Sequence, residues 1–246
     1  MEGHAVNPPL DKSPAKIAGM FDAIASRYDL LNRVLSAGID RYWRWRAVRS
    51  LRLTGREPVL DLCTGTADLA LALVRPGRAG RVIGIDFAGA MLRIGLRKLR
   101  AAKPAVPASL ARGDAMRLPL AAGSVDAVTI GFGIRNVQRP EIAARECFRV
   151  LRPGGRLAIL EFGMPRLPGI RQVYAWYFTR VLPRIGRLVS RHSDAYTYLP
   201  TSVGAWASPS VFCKVLASAG FSEVRAVPLT FGIVYLYTAT RPAVRA

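Results

Sequence analysis

Short apolar runs alternate with amphipathic segments through the middle of the chain. Runs of about four to eight apolar residues are typical of strands buried on both faces. They predict five strands, at residues 58–62, 81–86, 108–111, 125–130 and 156–161. The segments between these runs predict helices at residues 68–74, 88–101 and 141–151. Strands that alternate with helices in this way are typical of a parallel sheet with helices on both faces.

The segments before and after this core, which we place at residues 57–162, have other patterns. Residues 1–16 are rich in proline, charge and small side chains and predict a flexible tail. Apolar residues at three- and four-residue spacing predict N-terminal helices over residues 17–55. Residues 163–207 combine proline, aromatic residues and arginine, and we interpret them as a helical insertion.

The last part of the chain, residues 208–246, predicts one helix followed by two strands. The helix covers residues 208–219 with Gly220 at its C-terminal end, and the strands cover residues 223–227 and 233–238. We expect these two strands to form an antiparallel pair at the edge of the parallel sheet. The predicted fold class is therefore α/β: one Rossmann-like domain with a mostly parallel, seven-stranded sheet.

Composition and charge exclude several classes of protein. With 51% hydrophobic residues, the chain is neither disordered nor collagen-like. Its cysteines, Cys63, Cys147 and Cys213, form no closely spaced pair, which argues against a zinc ribbon or a disulfide framework. We recognise no signal peptide and no apolar stretch of about 18 residues, so we expect a cytoplasmic protein. The formal net charge of +20 predicts attraction to nucleic acid or to an anionic membrane surface.

The segment after the first strand carries the candidate cofactor site. Gly65 allows a tight turn there, and Asp86 ends the second strand 21 residues later, where an acid can bind the hydroxyls of a ribose. A dinucleotide would need three glycines at this turn, and Asp61 and Asp68 would repel its phosphates. S-adenosylmethionine instead carries an ammonium and a sulfonium, which suit acidic surroundings. The pattern therefore favours S-adenosylmethionine.

Two further strand ends carry polar residues. After the third strand, Asp114 and the backbone amide of Ala115 are placed to bracket an adenine. After the fourth strand, Arg135 and Asn136 are placed to orient a substrate oxygen or an ordered water. An alternative for Arg135 is a purely structural pairing with an acid such as Glu161.

These residues belong to motifs of a known family. The motifs are Met20-Phe21-Asp22, Arg27-Tyr28-Asp29 and Asn32 near the N-terminus, the loop after the first strand, residues 86–91, residues 132–137, and residues 149–155 leading to Glu161. From about Met20 to Thr240, the chain resembles the ubiquinone/menaquinone biosynthesis C-methyltransferases.

The resemblance implies a class I methyltransferase fold and transfer of a methyl group from S-adenosylmethionine to a ring carbon of a reduced prenylated quinone. It favours demethylmenaquinol as the acceptor, with the benzoquinol of ubiquinone biosynthesis as the alternative. It implies cofactor contacts at Thr66, Asp86, Asp114 and Ala115, and Asp61 and Gly65 fit the same loop.

The sequence departs from the family pattern in this loop. The family usually has Gly-Gly-Thr-Gly where this chain has Thr64-Gly65-Thr66-Ala67. We expect this change to tighten the loop and weaken cofactor binding. Gly131 also replaces a serine found in many members.

The sequence offers no obvious catalytic base, because its two histidines, His4 and His192, lie in the tail and in the helical insertion. We therefore expect Arg135, helped by Asn136, to stabilise a phenolate and to hold the water that removes the proton.

A prenylated quinol is embedded in the membrane, and residues 170–191 alternate apolar and aromatic side chains with arginines. This predicts an interfacial segment and a peripheral location at the inner face of the membrane; the alternative is a lid helix packed on the domain.

No specific nucleic-acid partner is expected, and a homodimer is compatible with the sequence. Two other functions stay open. One is an RNA methyltransferase, and the other is a cofactor-binding assembly subunit without catalysis.

Overall fold

The computed structural model describes residues 11–165, 167–177, 180 and 194–243. It contains one seven-stranded sheet in the order β3-β2-β1-β4-β5-β7-β6. The strands are β1 (Pro58–Leu62), β2 (Arg81–Asp86), β3 (Ala108–Arg112), β4 (Val125–Gly131), β5 (Leu151–Phe162), β6 (Ser222–Leu229) and β7 (Val234–Thr240). Strands β1 to β5 are parallel, and β7 is antiparallel to both β5 and β6. The predicted fold class, including the antiparallel C-terminal pair, is confirmed.

Helices cover both faces of this sheet. In the described part of the chain they are α1 (Pro14–Leu35), α2 (Asp40–Ser50), α3 (Asp68–Leu73), α4 (Gly89–Ala102), α5 (Pro140–Val150), α6 (Pro168–Trp176), α7 (Asp194–Gly204) and α8 (Pro209–Ser218). None of these helices is long and apolar enough to cross a membrane.

Alternate residues of the central strands supply two separate hydrophobic cores. Leu60 and Val128 point to the face that α5 and α8 cover. Val59 and Ala127 point to the opposite face, against α2, α3 and α4. Because side chains alternate along a strand, strands covered on both faces are apolar at every position. This explains why short continuous apolar runs located the strands in the sequence.

The sheet places the carboxyl ends of β1 and β4 side by side at the point where the strand order reverses. The chain proceeds outward from β1 to β2 and β3, and then returns to β4 on the other side of β1. In open α/β sheets, ligands bind in the crevice that this reversal creates. The loops that carry the predicted site residues therefore lie together at this edge.

Two elements begin three or more residues before their predicted positions. Helix α1 begins at Pro14, because proline is well suited to the first turn of a helix. Strand β5 begins at Leu151 rather than at residue 156, because Leu151 already pairs with Val125. The register then shifts before Ala127 pairs with Arg156, so the glycine-rich segment between them forms an irregularity within the strand.

Gly95 of α4 is the point of closest approach between α4 and the loop after β1. A Cβ atom added at Gly95 would lie 2.9 Å from the Cβ of Ala67 and 3.0 Å from a methyl carbon of Leu110. We expect Gly95→Ala to lower the free energy of unfolding by about 1–3 kcal/mol, as overpacking does in other cores. Denaturant unfolding measures this, and Ala67→Gly in the same background should recover part of the loss.

Gly89→Ala is the matched control on the same helix, since a Cβ there would meet only the end of the Arg93 side chain, at 3.8 Å. Equal effects of Gly89→Ala and Gly95→Ala would contradict this explanation.

Candidate active site

The loop after β1 is shaped by left-handed backbone conformations. Cys63, Gly65 and Ala67 have φ angles of 55°, 53° and 65°. Ala67 occupies a conformation that costs a residue with a side chain about 1–2 kcal/mol relative to glycine. The loop therefore keeps a glycine-type backbone although only one of its residues is glycine. That Thr64 and Ala67, in place of two glycines of the family, weaken cofactor binding stays a prediction.

Gly133, after β4, permits the β1 and β4 loops to meet. A Cβ at this position would lie only 2.3 Å from the Cβ of Cys63. Glycine is therefore required for the close approach of the two loops that form the crevice.

Asp86 is the acid at the centre of the crevice. Its Oδ2 accepts a hydrogen bond from the Gly65 amide at 2.8 Å, and its Oδ1 accepts one from the Ala88 amide at 2.9 Å. The side chain is almost completely buried, and burial raises its pKa above the usual value. Each carboxylate oxygen has a second lone pair, so both oxygens can still accept a hydroxyl donor. This is the arrangement needed to hold the two hydroxyls of a ribose.

Around Asp86 lies a cleft that is open to solvent, which we call the smaller cleft. Five of the eight residues predicted as site residues line it: Gly65, Asp86, Asp114, Ala115 and Asn136. Asp114 and Ala115 lie at the end of β3, and the carboxylate of Asp114 accepts a hydrogen bond from the Met116 amide. Apolar side chains, among them Met91 and Met116, complete the walls.

Asp61 and Thr66 were predicted to bind the cofactor, but neither lines the smaller cleft. Asp61 is fully buried beneath the loop and accepts hydrogen bonds from the hydroxyls of Thr64 at 2.6 Å and Thr129 at 2.8 Å. Its contacts hold the loop against β4. The Thr66 hydroxyl turns away from the cleft and donates to Asp29 of α1 at 2.5 Å.

Asp68 also lies elsewhere than the sequence suggested. Its carboxylate pairs with Arg44 at 3.0 Å and with Lys98. Asp68 is not among the residues that line the smaller cleft, so its proposed repulsion of a phosphate is wrong. An acid at the end of β2 suits the ribose of either cofactor, so a dinucleotide is now disfavoured by the missing glycines of this turn.

Burial raises the pKa of Asp61 from 3.8 to about 6. The native state therefore binds a proton more tightly than the unfolded state, and this group makes the protein less stable as pH rises from about 4 to above 6. We expect Asp61→Asn to gain about 2–3 kcal/mol of unfolding free energy relative to the wild type between pH 4 and pH 7. Denaturant unfolding at several pH values measures this difference. A difference that stays constant with pH would contradict the assignment.

A second space, which is also open to solvent and which we call the larger cavity, adjoins the smaller cleft. Phe21, Tyr28 and Phe132 line both spaces and therefore mark their junction. The walls of the larger cavity come from α1, α2, α6, α7 and the ends of β4 and β5, and they are mostly apolar and aromatic. The rings of Phe132 and Phe162 lie 4.6 Å apart within this wall.

Arg135 lies in the wall of the larger cavity and pairs with Glu161. Its Nη1 lies 2.6 Å from Glu161 Oε1 and also donates to the Phe132 carbonyl at 2.8 Å. The exposed fractions of Arg135 and Glu161 are 5% and 0%. The ion pair with Glu161 that the sequence suggested is therefore present, and the role of Arg135 in the reaction stays a prediction. The guanidinium also lies over the Phe162 ring, 5.3 Å from its centre.

Asn136 follows Arg135 but lines the smaller cleft. Its Oδ1 accepts a hydrogen bond from the Tyr198 hydroxyl at 3.1 Å, and Tyr198 lines the larger cavity. The two residues predicted to be catalytic therefore lie on either side of the junction between the two spaces.

Two residues at this site were missed in the sequence. Lys12 lines the smaller cleft although it lies in the segment predicted to be a flexible tail, and burial lowers its pKa. Tyr28 belongs to a motif near the N-terminus, but local spacing gave no sign that it would reach the junction. Both residues reach the site through the packing of α1 against α4 and α7.

The sheet order, the acid at the end of β2 and the cleft beside it define a class I methyltransferase fold. The same fold is seen in a crystal structure described as a putative S-adenosyl-L-methionine-dependent methyltransferase from Methanococcus maripaludis. That chain is 17% identical with a TM-score of 0.60, and the match covers 99% of this chain and 100% of the other. The model of the ubiE/COQ5 methyltransferase family matches residues 10–241. The chain belongs to this family.

Curated relatives match over nearly their whole length. The demethylmenaquinone methyltransferase of Thermus thermophilus is 47% identical over 91% of this chain and 100% of its own. The ubiquinone/menaquinone biosynthesis C-methyltransferase UbiE of Syntrophotalea carbinolica is 46% identical over 90% of this chain and 92% of its own.

Proposed function

We propose that this protein transfers a methyl group from S-adenosylmethionine to a ring carbon of demethylmenaquinol, forming menaquinol. The observation that carries the proposal is the junction of two unlike spaces. The smaller cleft has an acid suited to a ribose, and the larger cavity is apolar and has room for an aromatic ring with part of a prenyl chain. The names of relatives such as the Thermus thermophilus enzyme favour the menaquinone step.

The smaller cleft fits S-adenosylmethionine by the chemistry of its donors and acceptors. Asp86 accepts from the ribose hydroxyls, and Asp114 with the Ala115 amide brackets the adenine. S-adenosylmethionine, when bound, supplies a methyl group on a positively charged sulfur. The residues at the junction then have two tasks, which are to align the acceptor carbon and to exclude water.

Arg135 and Asn136 act on the oxygen of the acceptor ring. The ring carbon becomes nucleophilic when the neighbouring hydroxyl loses its proton, and Arg135 stabilises the negative charge that remains on the oxygen. Asp40 also lines the larger cavity, but it is bonded to Arg44 at 2.8 Å and to Ser36 at 3.0 Å. We therefore assign removal of the hydroxyl proton to a water held by Arg135 and Asn136. As the new carbon–carbon bond forms, the bond between the methyl group and sulfur breaks, and the methylated ring carbon then loses its own hydrogen as a proton to water, which restores the aromatic quinol.

An assay with labelled S-adenosylmethionine tests the proposal on three acceptors in parallel: reduced demethylmenaquinol, a reduced benzoquinol analogue and bulk RNA. Label in the naphthoquinol alone is the expected result. Label in the benzoquinol alone would assign the reaction to ubiquinone biosynthesis instead. Label in RNA alone would reject a quinol substrate. Binding of S-adenosylmethionine without transfer to any acceptor would indicate an assembly subunit without catalysis.

We further propose that the enzyme works at the inner face of the membrane. Three apolar side chains that line the larger cavity are also exposed to solvent: Ile39 (40%), Val173 (65%) and Trp176 (59%). On the opposite side of α6, Tyr174 is buried against Leu31. Helix α6 thus packs on the domain and also presents apolar side chains at the cavity. Residues 178, 179 and 181–191 of the predicted interfacial segment lie outside the described residues.

Vesicle sedimentation tests this location. Burial of Val173 and Trp176 in the lipid interface contributes up to a few kcal/mol, so Val173→Ser with Trp176→Ala should weaken binding to anionic vesicles by about tenfold or more. Binding of the wild type should also fall with added salt. Val211→Ser is the matched control, because Val211 is 50% exposed on α8 and does not line the larger cavity. Unchanged binding in the double variant would contradict the proposal.

A further inference from the structure

Helix α1 is a wall of both the smaller cleft and the larger cavity. Phe21 and Tyr28 line both spaces, and Met20, Ile24 and Leu31 line the larger one. The shape of the larger cavity therefore depends on where α1 lies on the domain.

Three polar contacts fix α1 to the domain beside the smaller cleft. Asp22 accepts a hydrogen bond from the Ala90 amide, at the beginning of α4, at 2.7 Å. Asp29 accepts from the Thr66 hydroxyl at 2.5 Å and pairs with Lys98 at 2.7 Å. Asp29 is therefore the residue of α1 that contacts the loop after β1.

The contact between Asp29 and Thr66 continues directly to the cofactor acid. Thr66 follows Gly65, and the Gly65 amide donates to Asp86. A ligand held by Asp86 and Gly65 therefore restrains the loop, and the loop restrains α1 through a single hydrogen bond. Asp29, which accepts this hydrogen bond, directly follows Tyr28, and Tyr28 lines both spaces.

The ion pair between Lys98 and Asp68 would persist without Asp29. Asp68 also pairs with Arg44 at 3.0 Å. Loss of the Asp29 carboxylate would therefore leave α3 and α4 bound to each other, but would free α1 both from Thr66 of the loop and from Lys98 of α4. Thr66→Val removes the contact with the loop alone.

We propose that Asp29 is a positioning residue that couples the two spaces: a ligand in the smaller cleft fixes α1 through Thr66 and Asp29, and so favours binding in the larger cavity. The inference rests on the proposed assignment of the smaller cleft to the cofactor and the larger cavity to the quinol. By linkage, each ligand then tightens the binding of the other by the same factor.

The test measures this factor with ligands that do not react. Oxidised demethylmenaquinone with two isoprene units is titrated with and without saturating S-adenosylhomocysteine, and the fluorescence of Trp43 and Trp176, which line the larger cavity, reports binding. We expect S-adenosylhomocysteine to tighten quinone binding by about tenfold in the wild type. The factor should fall towards one in Asp29→Asn and in Thr66→Val, and should be retained in Thr66→Ser, which keeps the hydroxyl.

A factor of one in the wild type, or an equal factor in all variants, would overturn the inference. Thr66→Val keeps the test decisive if Asp29→Asn does not fold. Methyl transfer by the wild type is measured in the same preparations. Its absence would count against the proposed function, whereas transfer without coupling would count against the role of Asp29 alone.

Discussion

Glu161→Gln is expected to lower the free energy of unfolding by about 3–5 kcal/mol. The substitution keeps the shape of the side chain but leaves the guanidinium of Arg135 buried without its counter-ion, and removing one partner of a buried pair has an effect of this size. Arg135→Met should be similarly destabilising, because it leaves the Glu161 carboxylate unpaired. Thermal and denaturant unfolding measure both effects.

The double variant separates a structural role of Arg135 from its role in the reaction. Arg135→Met with Glu161→Gln removes both charges, so its loss of stability should be much smaller than the sum of the two single losses. If Arg135 stabilises the phenolate, this stable variant should still bind S-adenosylmethionine but should not transfer the methyl group. Full activity in the double variant would show that Arg135 has only a structural role.

Asp126→Asn is the matched control for charge removal. Asp126 pairs with Arg152 at 2.9 Å, and both side chains are partly exposed. Surface pairs contribute about 0–1 kcal/mol, so this change should have little effect on either stability or activity. If Asp126→Asn lowered the free energy of unfolding as much as Glu161→Gln, the large effect at Glu161 could not be attributed to the burial of its ion pair.

The second large effect is expected at Asp86. Asp86→Asn should weaken S-adenosylmethionine binding by about 100-fold, because the two hydrogen bonds that a charged carboxylate accepts from the ribose contribute about 3 kcal/mol together. The amide also places a second donor opposite the Gly65 or Ala88 amide. Isothermal titration calorimetry measures the affinity, and circular dichroism checks the fold.

The same Asp126→Asn variant serves as the control for binding, because Asp126 does not line the smaller cleft. Unchanged affinity in Asp86→Asn would contradict the assignment of the ribose to Asp86.

The strands and the acid at the end of β2 were predictable from the sequence for a simple reason. Strands buried on both faces give continuous apolar runs, and the residue after such a run lies at the ligand edge of the sheet. Asp86 ends a strand of this kind, and Asp114 and Asn136 lie in the loops that follow β3 and β4. Their positions required no knowledge of distant contacts.

Asp68 and Lys12 show where such reasoning stops. An acid at the beginning of a helix has the same local pattern whether it faces a cleft or a neighbouring helix. For Asp68, the direction is set by Arg44 and Lys98, which come from other helices. Lys12 belongs to a segment with the composition of a tail, and it reaches the cleft because α1, which follows it, packs against α4 and α7. The larger cavity was equally unpredictable, since its walls come from elements far apart in the sequence.

The most direct test of the central claim is to identify the bond formed on the acceptor. S-adenosylmethionine with a trideuterated methyl group is incubated with the protein and either reduced or oxidised demethylmenaquinone, and the product is examined by mass spectrometry and NMR. We predict a trideuterated methyl group on the ring carbon, formed only from the reduced quinol. A methyl group on oxygen, or equal transfer to the oxidised quinone, would contradict the account.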